Sequence, residues 1–459
     1  MSDAPEKRLH LVSLGCAKAL VDSEVVTAQL QRRGWTLTNE AEAELYLINT
    51  CGFIEAALDE TYGEIDRLAE LRRDNPDSRL VVVGCAVDAE GDELLERFPE
   101  IDLLAGTGSL ARLGTLIDNL VESPAKGAQR YHDAPGGAYD GNPDLLPERV
   151  ALTPAHLAYL KISEGCDLGC AFCRIPALRG PQRSRPVEAV VDEAVSLAAG
   201  GVREIILVAQ ETTAYGRDLY GEPRLAALLE ELALNLPTED LWLRVLYPNP
   251  ARVDDAFLEA LAVQPQLAPY LDLPFQHADS EVLAAMRRAG GPDDLLRTIE
   301  RARELIPDLV LRGTALVGFP AESPAAFENL VDFIEAVRFD HLGVFTYSAM
   351  PDTPAWELGD PVDDDEKEVR AEALHGLQEA ISLQHNSALV GKTRRVLVDA
   401  VAEKDALARG VRHCPEVDGL IGVSLPPNHD WRPGEFRDVV ITNAQPYDLS
   451  ARPADDPGV

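Results

Sequence analysis

The sequence predicts an α/β protein in three parts: an N-terminal doubly wound parallel sheet, a central partial or full α/β barrel, and a small C-terminal antiparallel β-barrel. Three observations lead to this prediction. Apolar strands alternate with amphipathic helices over residues 1–122, and a similar alternation returns over residues 155–388. The last stretch, residues 389–459, carries strand patterns joined by turn-rich segments. Alternating strands and helices are typical of parallel sheets, whereas consecutive short strands are typical of small barrels.

The length of 459 residues also suggests about three domains. We place a linker at 123–154, where proline, glycine and aspartate accumulate. The composition, with 46% hydrophobic and 26% charged residues, is that of an ordinary globular protein. No apolar run approaches the roughly 20 residues that a membrane-spanning helix needs, and the polar first ten residues lack a signal-peptide core. We therefore expect a cytoplasmic protein with no membrane partner.

The formal net charge of −36 narrows the range of partners. A nucleic acid is a polyanion, and its binding usually requires a basic protein face. An acidic chain is better suited to a basic partner, although adaptation to a salty cytosol or simple solubility would also explain the charge. The composition therefore argues against tRNA as a partner.

In the N-terminal part, three cysteines stand at the ends of predicted strands. Cys16, Cys51 and Cys85 each follow a short apolar run; the runs are residues 9–14, 45–49 and 80–83, with helical patterns at 21–33 and 61–73 between them. Each cysteine alone is explained as a small buried hydrophobe. Because the carboxyl ends of parallel strands form one crevice, we expect the three thiols to converge there. Three thiolates can hold an iron–sulfur cluster with one iron left open.

The central part carries a βα repeat suited to a barrel whose active site collects at the carboxyl ends of its strands. The predicted strands are residues 158–162, 204–208, 241–246, 309–311 and 342–346, with helices at 187–199 and 282–288 among them. A group of three cysteines follows the first of these strands, at the end of the barrel where catalytic groups are expected.

This second group, Cys166, Cys170 and Cys173, has the spacing C-x3-C-x2-C. Iron–sulfur clusters normally take four cysteines, so a compact trio indicates a cluster with one open iron. Half of a zinc site is the alternative, but zinc would need a fourth ligand at fixed spacing. The sequence has no second close cysteine pair, and His156 is the one histidine within 30 residues of the trio. The odd total of seven cysteines also argues against a disulfide framework.

The C-terminal module follows an acidic stretch at 360–368 and a predicted helix at 367–388. We predict strands at 393–401, 419–424 and 438–442. From residue 391 onward there are nine Lys and Arg against eleven Asp and Glu, a net charge of −2. A barrel that gripped RNA should be clearly basic, because phosphate contacts supply much of the affinity.

The cysteine spacing, with Phe172 just before the last cysteine, resembles the signature of the radical S-adenosylmethionine (SAM) superfamily. Two cysteine trios in this order resemble the methylthiotransferase family, and the resemblance covers nearly the whole chain, with a TRAM domain as its last module. Four further segments match signatures of that family: residues 208–216, 243–248, 270–277 and 317–322, the last with Ala321 where the family has glycine.

The resemblance implies two 4Fe–4S clusters, one held by each trio, together with SAM as methyl donor and radical source. It also implies that SAM contacts Phe172, Gln210, Arg244 and Gly318. Two residues are given structural roles instead. His277 is expected to be a hydrogen-bonded structural histidine rather than an acid–base group, and Cys414 a packing residue.

Two branches of the family differ in substrate. One modifies an adenosine of tRNA, and the other the β-carbon of an aspartate in small-subunit ribosomal protein twelve. Residues 414–419 and 446–449 resemble the second branch, and the charge agrees with it. We therefore expect a ribosomal-protein methylthiotransferase whose partners are that protein or the small subunit, an electron-donor protein and an unknown sulfur donor. A tRNA methylthiotransferase and a non-catalytic iron–sulfur redox sensor or carrier are the alternatives.

Overall fold

The computed structural model describes residues 7–122, 127–134 and 148–456. Its N-terminal part is a six-stranded parallel sheet in the order β2-β1-β3-β4-β5-β6. The strands are β1 (Lys7–Ser13), β2 (Trp35–Leu37), β3 (Leu45–Thr50), β4 (Arg79–Gly84), β5 (Leu103–Ala105) and β6 (Gln129–Tyr131). The helices are α1 (Ala17–Gln31), α2 (Glu55–Asp74), α3 (Cys85–Arg97) and α4 (Leu113–Glu122).

Both faces of this sheet are apolar, which is why helices cover both. Leu45 and Leu47 of β3 pack with Leu116 of α4 on one face, while Tyr46 and Ile48 pack on the other face with α2 and α3. The prediction of a doubly wound sheet is therefore confirmed. Strand β6 lies within the stretch that we predicted to be a linker.

The central part contains six parallel strands, in two sheets of order β7-β10-β11 and β12-β13-β14. The bridge between Leu243 and Leu267 brings the two sheets side by side. The six strands are β7 (Leu157–Lys161), β10 (Glu204–Val208), β11 (Trp242–Val245), β12 (Tyr270–Gln276), β13 (Val310–Val317) and β14 (His341–Thr346). Two further short strands, β8 (Ser163–Glu164) and β9 (Arg183–Ser184), form a separate antiparallel pair. Of the two predicted forms, the structure has the partial barrel.

Helices surround this barrel and bury its outer face. They are α5 (Ile175–Arg179), α6 (Val187–Ala199), α7 (Arg217–Tyr220), α8 (Leu225–Asn235), α9 (Asp255–Val263), α10 (Ser280–Ala285), α11 (Pro292–Leu305), α12 (Pro324–Val337) and α13 (Asp364–Ser387). Alternate residues of each strand point outward to these helices, as Leu160 and Leu207 do. The residues between them, such as Tyr159 and Ile206, face inward. No helix in the described part of the chain is both long and apolar enough to cross a membrane.

The C-terminal module is a closed five-stranded barrel in the order β15-β16-β17-β19-β18. Its strands are β15 (Thr393–Val401), β16 (Asp405–Arg409), β17 (Ile421–Ser424), β18 (Phe436–Ala444) and β19 (Leu449–Pro453). The predicted barrel is confirmed, with one correction to its description as antiparallel: β17 and β19 pair in parallel. Strand β18 lies between them in the sequence and runs antiparallel to β19, so β17 and β19 run in the same direction. Their pairing closes the barrel.

This module seals the end of the central barrel at which the strands begin. Glu204, the first residue of β10, is fully buried and forms ion pairs with Arg244 of the central barrel and Arg409 of the last module. The Tyr270 hydroxyl, at the start of β12, donates to Asp418 over 2.7 Å. Separating the members of such a buried pair would leave an unpaired charge in the interior, which is energetically costly. These contacts therefore hold the two modules in one relative orientation.

Candidate functional site

The N-terminal cysteines lie at the carboxyl ends of three neighbouring strands. Cys16 follows β1 and caps helix α1, Cys51 follows β3, and Cys85 is the first residue of α3 after β4. Strand order reverses at β1 and β3, so the loops that follow them diverge and leave a crevice. Gly15, with φ of 92°, lies so close that a Cβ there would be 3.3 Å from the Cys51 sulfur.

Backbone N–H groups lie near two of these sulfurs. Those of Ala19 and Lys18, at the start of helix α1, act to lower the pKa of the Cys16 thiol. The N–H of Phe53 acts in the same direction on the pKa of Cys51. Amide N–H groups beside anionic sulfur stabilise it and tune a cluster that it ligates.

The three thiols differ in acidity. Burial raises the pKa of Cys51, and it raises the pKa of Cys85 to about 12. Protein atoms crowd around Cys16, which would raise its pKa too, but its surface opens to solvent, and the charges of Lys18 and Arg179 outweigh the crowding and lower the pKa. Cys16 is thus the most acidic of the three thiols, and thiols lose their protons when they ligate a metal.

The barrel trio lies in the loop between β8 and α5. Gly165, with φ of 77°, allows the chain to turn, and a Cβ there would lie 2.1 Å from the carbonyl oxygen of Pro181. The N–H of Cys166 donates to the carbonyl of Gly180 over 3.1 Å, and the N–H of Cys173 to the carbonyl of Cys170 over 3.1 Å. Together with the turn at Gly165, these hydrogen bonds fold residues 166–173 into a compact loop.

The barrel sulfurs also have polar neighbours. Backbone N–H groups two residues further along, at Leu168 and Ile175, act to lower the pKa of Cys166 and Cys173. Nη1 of Arg288 lies 3.8 Å from the Cys170 sulfur. Burial raises the pKa of Cys166 to about 11 and that of Cys173 to about 12, so these thiols also lose protons when they ligate a metal.

This donor set fits iron–sulfur clusters better than single ions. All seven cysteines are free thiols, and six of them form the two trios. In the described ranges, no three His, Cys, Asp or Glu side chains converge closely enough to hold one metal ion. A cluster instead spreads its cysteine ligands over different irons, and thiolates are the ligands that such clusters select.

A buried group of charges lies between the two trios. The ammonium of Lys161, on β7, contacts Asp22 of helix α1 and lies 2.6 Å from Glu164. Arg179 forms ion pairs with the same two carboxylates, 2.6 Å from Asp22 and 3.3 Å from Glu164. Burial would raise the pKa of Glu164, but the two cations outweigh it and lower that pKa to about 2. The two positive and two negative charges of this buried group therefore cancel.

Three of the four predicted SAM contacts lie near the carboxyl ends of the barrel strands. Gln210, after β10, donates to Glu164, and its buried Oε1 has no hydrogen-bond partner, so it is free to accept from a ligand. Phe172 packs partly buried in the apolar cluster beside the trio. Gly318 follows β13 with φ of 77°, and its N–H donates to Glu322.

The fourth predicted contact, Arg244, has its side chain in a different part of the barrel. Its side chain is fully buried at the opposite end of the barrel, where Nε donates to Glu204 over 3.0 Å and Nη1 to the carbonyl of Val411 over 3.0 Å. The guanidinium also stacks on Tyr270, 4.4 Å from its ring centre. With its donors used in this way, Arg244 joins the barrel to the last module.

His277 and Cys414 occupy structural positions. His277 is fully buried and accepts from the N–H of Asp279 over 3.0 Å, with Glu322 3.9 Å from its other ring nitrogen. Cys414 is 1% exposed and packs in the apolar cluster that contains Tyr159. Burial raises the pKa of the Cys414 thiol well above its ordinary value, so it stays protonated.

Sequence analysis missed the charged residues that connect the two trios. Asp22 and Lys161 did carry a signal, because each is a charge inside an otherwise apolar helix or strand pattern. Arg174 and Arg179 carried none, since arginines are common on exposed helices. Their contacts with the N-terminal domain became visible only in three dimensions.

Comparisons with known protein families agree with the three-part architecture. Residues 8–106 match the Uncharacterized protein family UPF0004, residues 160–334 match the Radical SAM superfamily, and residues 390–453 match the TRAM domain. Among solved structures, the cobalamin-binding radical SAM methyltransferase TsrM from Kitasatospora setae, with tryptophan and aza-SAM bound, has a TM-score of 0.58 at 17% identity. The match covers 86% of this chain and 79% of that one, and it supports the fold alone.

Curated relatives match over nearly their whole length. The ribosomal protein uS12 methylthiotransferase RimO of Syntrophus aciditrophicus is 41% identical over 455 residues, covering 97% of this chain and 98% of the relative. The protein of the same name from Symbiobacterium thermophilum is 39% identical, covering 96% of this chain and 90% of the relative. The resemblance to radical SAM methylthiotransferases is therefore confirmed, and the chain belongs to the RimO family.

Proposed function

We propose that this chain is a radical SAM methylthiotransferase that adds a methylthio group to the β-carbon of an aspartate in ribosomal protein uS12. One observation carries the proposal: two separate trios of free cysteines lie at adjoining loop ends and are joined by buried contacts. Family membership brings SAM and a 4Fe–4S cluster. The full-length similarity to proteins named for uS12 supports the choice of substrate.

In this proposal Cys166, Cys170 and Cys173 hold the cluster of the radical SAM fold. When bound, that cluster and SAM supply the one-electron chemistry that removes a hydrogen atom from an unactivated C–H bond. The chain's own part is to fix these groups. The tight turn at Gly165 holds the trio. The side chain of Gln210 donates to Glu164, and its free Oε1 is placed to accept a hydrogen bond from SAM.

Cys16, Cys51 and Cys85 hold a second 4Fe–4S cluster in this proposal, the one that presents the sulfur to be inserted. A side-chain methylene does not readily react by an ionic route, so the reaction requires a carbon radical. The sulfur must therefore already be bound within reach of that carbon. The buried contacts between the trios support this requirement, because they keep the two sites at a constant separation.

Charge supports a protein substrate over tRNA. The chain carries −36 overall, and its last module carries −2 where an RNA-binding barrel would be basic. A basic ribosomal protein complements such a surface. The reaction also needs a one-electron donor and a source of sulfur, and we place it in the cytoplasm, where ribosomes assemble.

The test is the mass of uS12 and the composition of tRNA nucleosides in cells with and without this protein. We expect a methylthio increment on uS12 that disappears in the Cys16→Ala variant and persists in the Cys414→Ala control. An increment on a tRNA adenosine would overturn the substrate. Absence of reductive SAM cleavage by the purified, reconstituted protein would favour a non-catalytic iron–sulfur carrier.

A further inference from the structure

One arginine lies between the two cysteine trios. Arg179 ends helix α5, which begins two residues after Cys173, yet its Nε donates to the sulfur of Cys85 in the N-terminal domain over 3.1 Å. Its side chain is 2% exposed, so water does not weaken this contact. A loop that carries three cysteines thus extends a cation to a sulfur of the other three.

The rest of the guanidinium is held in place. Nη1 lies 2.6 Å from Asp22 and 3.3 Å from Glu164, and both carboxylates also pair with Lys161. Ion pairs from two directions fix the plane of the guanidinium, and therefore the direction of the Nε–H that meets the sulfur. A flexible surface arginine could not maintain such an orientation.

We propose that Arg179 is a positioning residue that sets the reduction potential of the N-terminal cluster through its hydrogen bond to Cys85. The inference rests on the proposed function, in that Cys85 must ligate a cluster. A buried positive charge and an N–H donor at a ligating sulfur both stabilise the added electron of a reduced cluster. Removing them makes reduction harder, so the midpoint potential becomes more negative.

The experiment isolates the N-terminal cluster in the full chain by changing Cys166, Cys170 and Cys173 to alanine. After anaerobic reconstitution, iron and sulfide are counted, and the midpoint potential is measured by EPR at defined potentials. Against this background we expect Arg179→Gln to shift the potential to a more negative value. Arg179→Lys keeps the charge and should recover most of the shift.

Arg174→Gln is the matched control. Arg174 also connects α5 to the N-terminal domain, but it donates to the carbonyl of Gly52 rather than to a sulfur. We expect its variant to leave the potential unchanged. An equal shift in this control, or an unchanged potential in Arg179→Gln, would overturn the role of Arg179.

The second cluster and the role of Arg179 are tested by different outcomes. If the triple-alanine background binds no iron–sulfur cluster while the parent chain binds one, the proposed second cluster is wrong. If that cluster forms with the same potential in Arg179→Gln, the proposed function stands and the role of Arg179 falls. Should Arg179→Gln not fold, because Asp22 and Glu164 lose a cation, Arg179→Lys decides: its EPR signal must then change little in potential but measurably in g-values.

Discussion

Nη1 of Arg174 donates to the backbone carbonyl of Gly52 over a distance of 2.8 Å. The residue that follows Cys173 is thereby joined to the residue that follows Cys51. A Cβ at Gly52 would lie 2.8 Å from the Cα of Ala86, so the loop after β3 also contacts the start of helix α3, which carries Cys85. The hydrogen bond joins the two domains, and the close approach joins two cysteine-bearing segments of the N-terminal domain.

We predict that each cysteine trio accounts for about half of the iron that the reconstituted protein binds. Cys16→Ala and Cys166→Ala should each lose roughly that share, because three thiolates are the minimum that each site offers. Iron and acid-labile sulfide per chain are the measurement, and Cys414→Ala, which removes a buried packing thiol, should retain the full amount. Full iron in Cys16→Ala would contradict the second cluster.

Gly165 and Gly169 offer a matched pair in the barrel loop. Both have positive φ, but a Cβ at Gly165 would collide with the carbonyl oxygen of Pro181, whereas nothing lies within 4 Å of one at Gly169. We expect Gly165→Ala to lose the iron of the barrel trio and keep that of the N-terminal trio. Gly169→Ala should cost only about 1–2 kcal/mol of backbone strain. Equal iron in both variants would show that the loop tolerates the collision.

The positions of Gln210 and Arg244 predict that substituting Gln210 weakens SAM binding and substituting Arg244 does not. Gln210→Leu removes an acceptor near the barrel trio and should weaken SAM binding about tenfold, the effect of one hydrogen bond. Arg244→Met should leave the dissociation constant unchanged and lower the free energy of unfolding by roughly 3–5 kcal/mol, since Glu204 loses a partner. Equilibrium dialysis with labelled SAM and a thermal melt separate the two. Weaker SAM binding in Arg244→Met at unchanged stability would restore it as a ligand contact.

Asp399 predicts a pH dependence of stability. Burial would raise its pKa, but hydrogen bonds from His156 and Arg409 outweigh it and lower that pKa below the usual value of about 3.9. A lowered folded pKa stabilises the protein above pH ~3.9, and this stabilisation is lost as the pH falls through the folded pKa. Asp399→Asn should therefore flatten the acid limb of a plot of unfolding free energy against pH. An unchanged slope below pH 4 would contradict this assignment.

Docking of the last module predicts a further contrast. Glu204→Gln removes the carboxylate shared by buried Arg244 and Arg409, of which Arg409 keeps Asp399, and should cost about 3–5 kcal/mol. Asp240→Asn breaks only the exposed pair with Arg395, and we expect a loss of less than about 1 kcal/mol. Hydrogen exchange of residues 405–424 is the measurement. Faster exchange in both variants would mean that the exposed pair also holds the module.

Sequence reasoning reached most of the fold because the strong patterns are local. Strand β10 and helix α6 have their predicted bounds, and both are long apolar or amphipathic runs. Strands β6, β16 and β19 were missed because three to five residues with few apolar side chains do not set a period. Their pairing partners, distant in the chain, decide their structure instead.

The candidate site likewise has features that the local sequence predicts and features that depend on contacts distant in the chain. The strand-end position of Cys16 or Cys51 is visible in sequence, since parallel strands must end at one edge. The contacts of Arg244 with Glu204 and Val411 could not be predicted, because a motif gives a residue's position in the chain but not the end of the barrel that its side chain reaches. The contact between Arg179 and Cys85 joins residues 94 positions apart and has no local signature.

The position of the last module separates it from the reactive end of the central barrel. The cysteine trio lies at one end of the barrel and the five-stranded module covers the other. The barrel strands have four to eight residues, which is roughly 13–26 Å at about 3.3 Å per residue. A substrate that touched both the last module and the cysteine end of the barrel would have to span this distance along the outside of the barrel. A free amino acid cannot do so, whereas a folded protein with a protruding loop can.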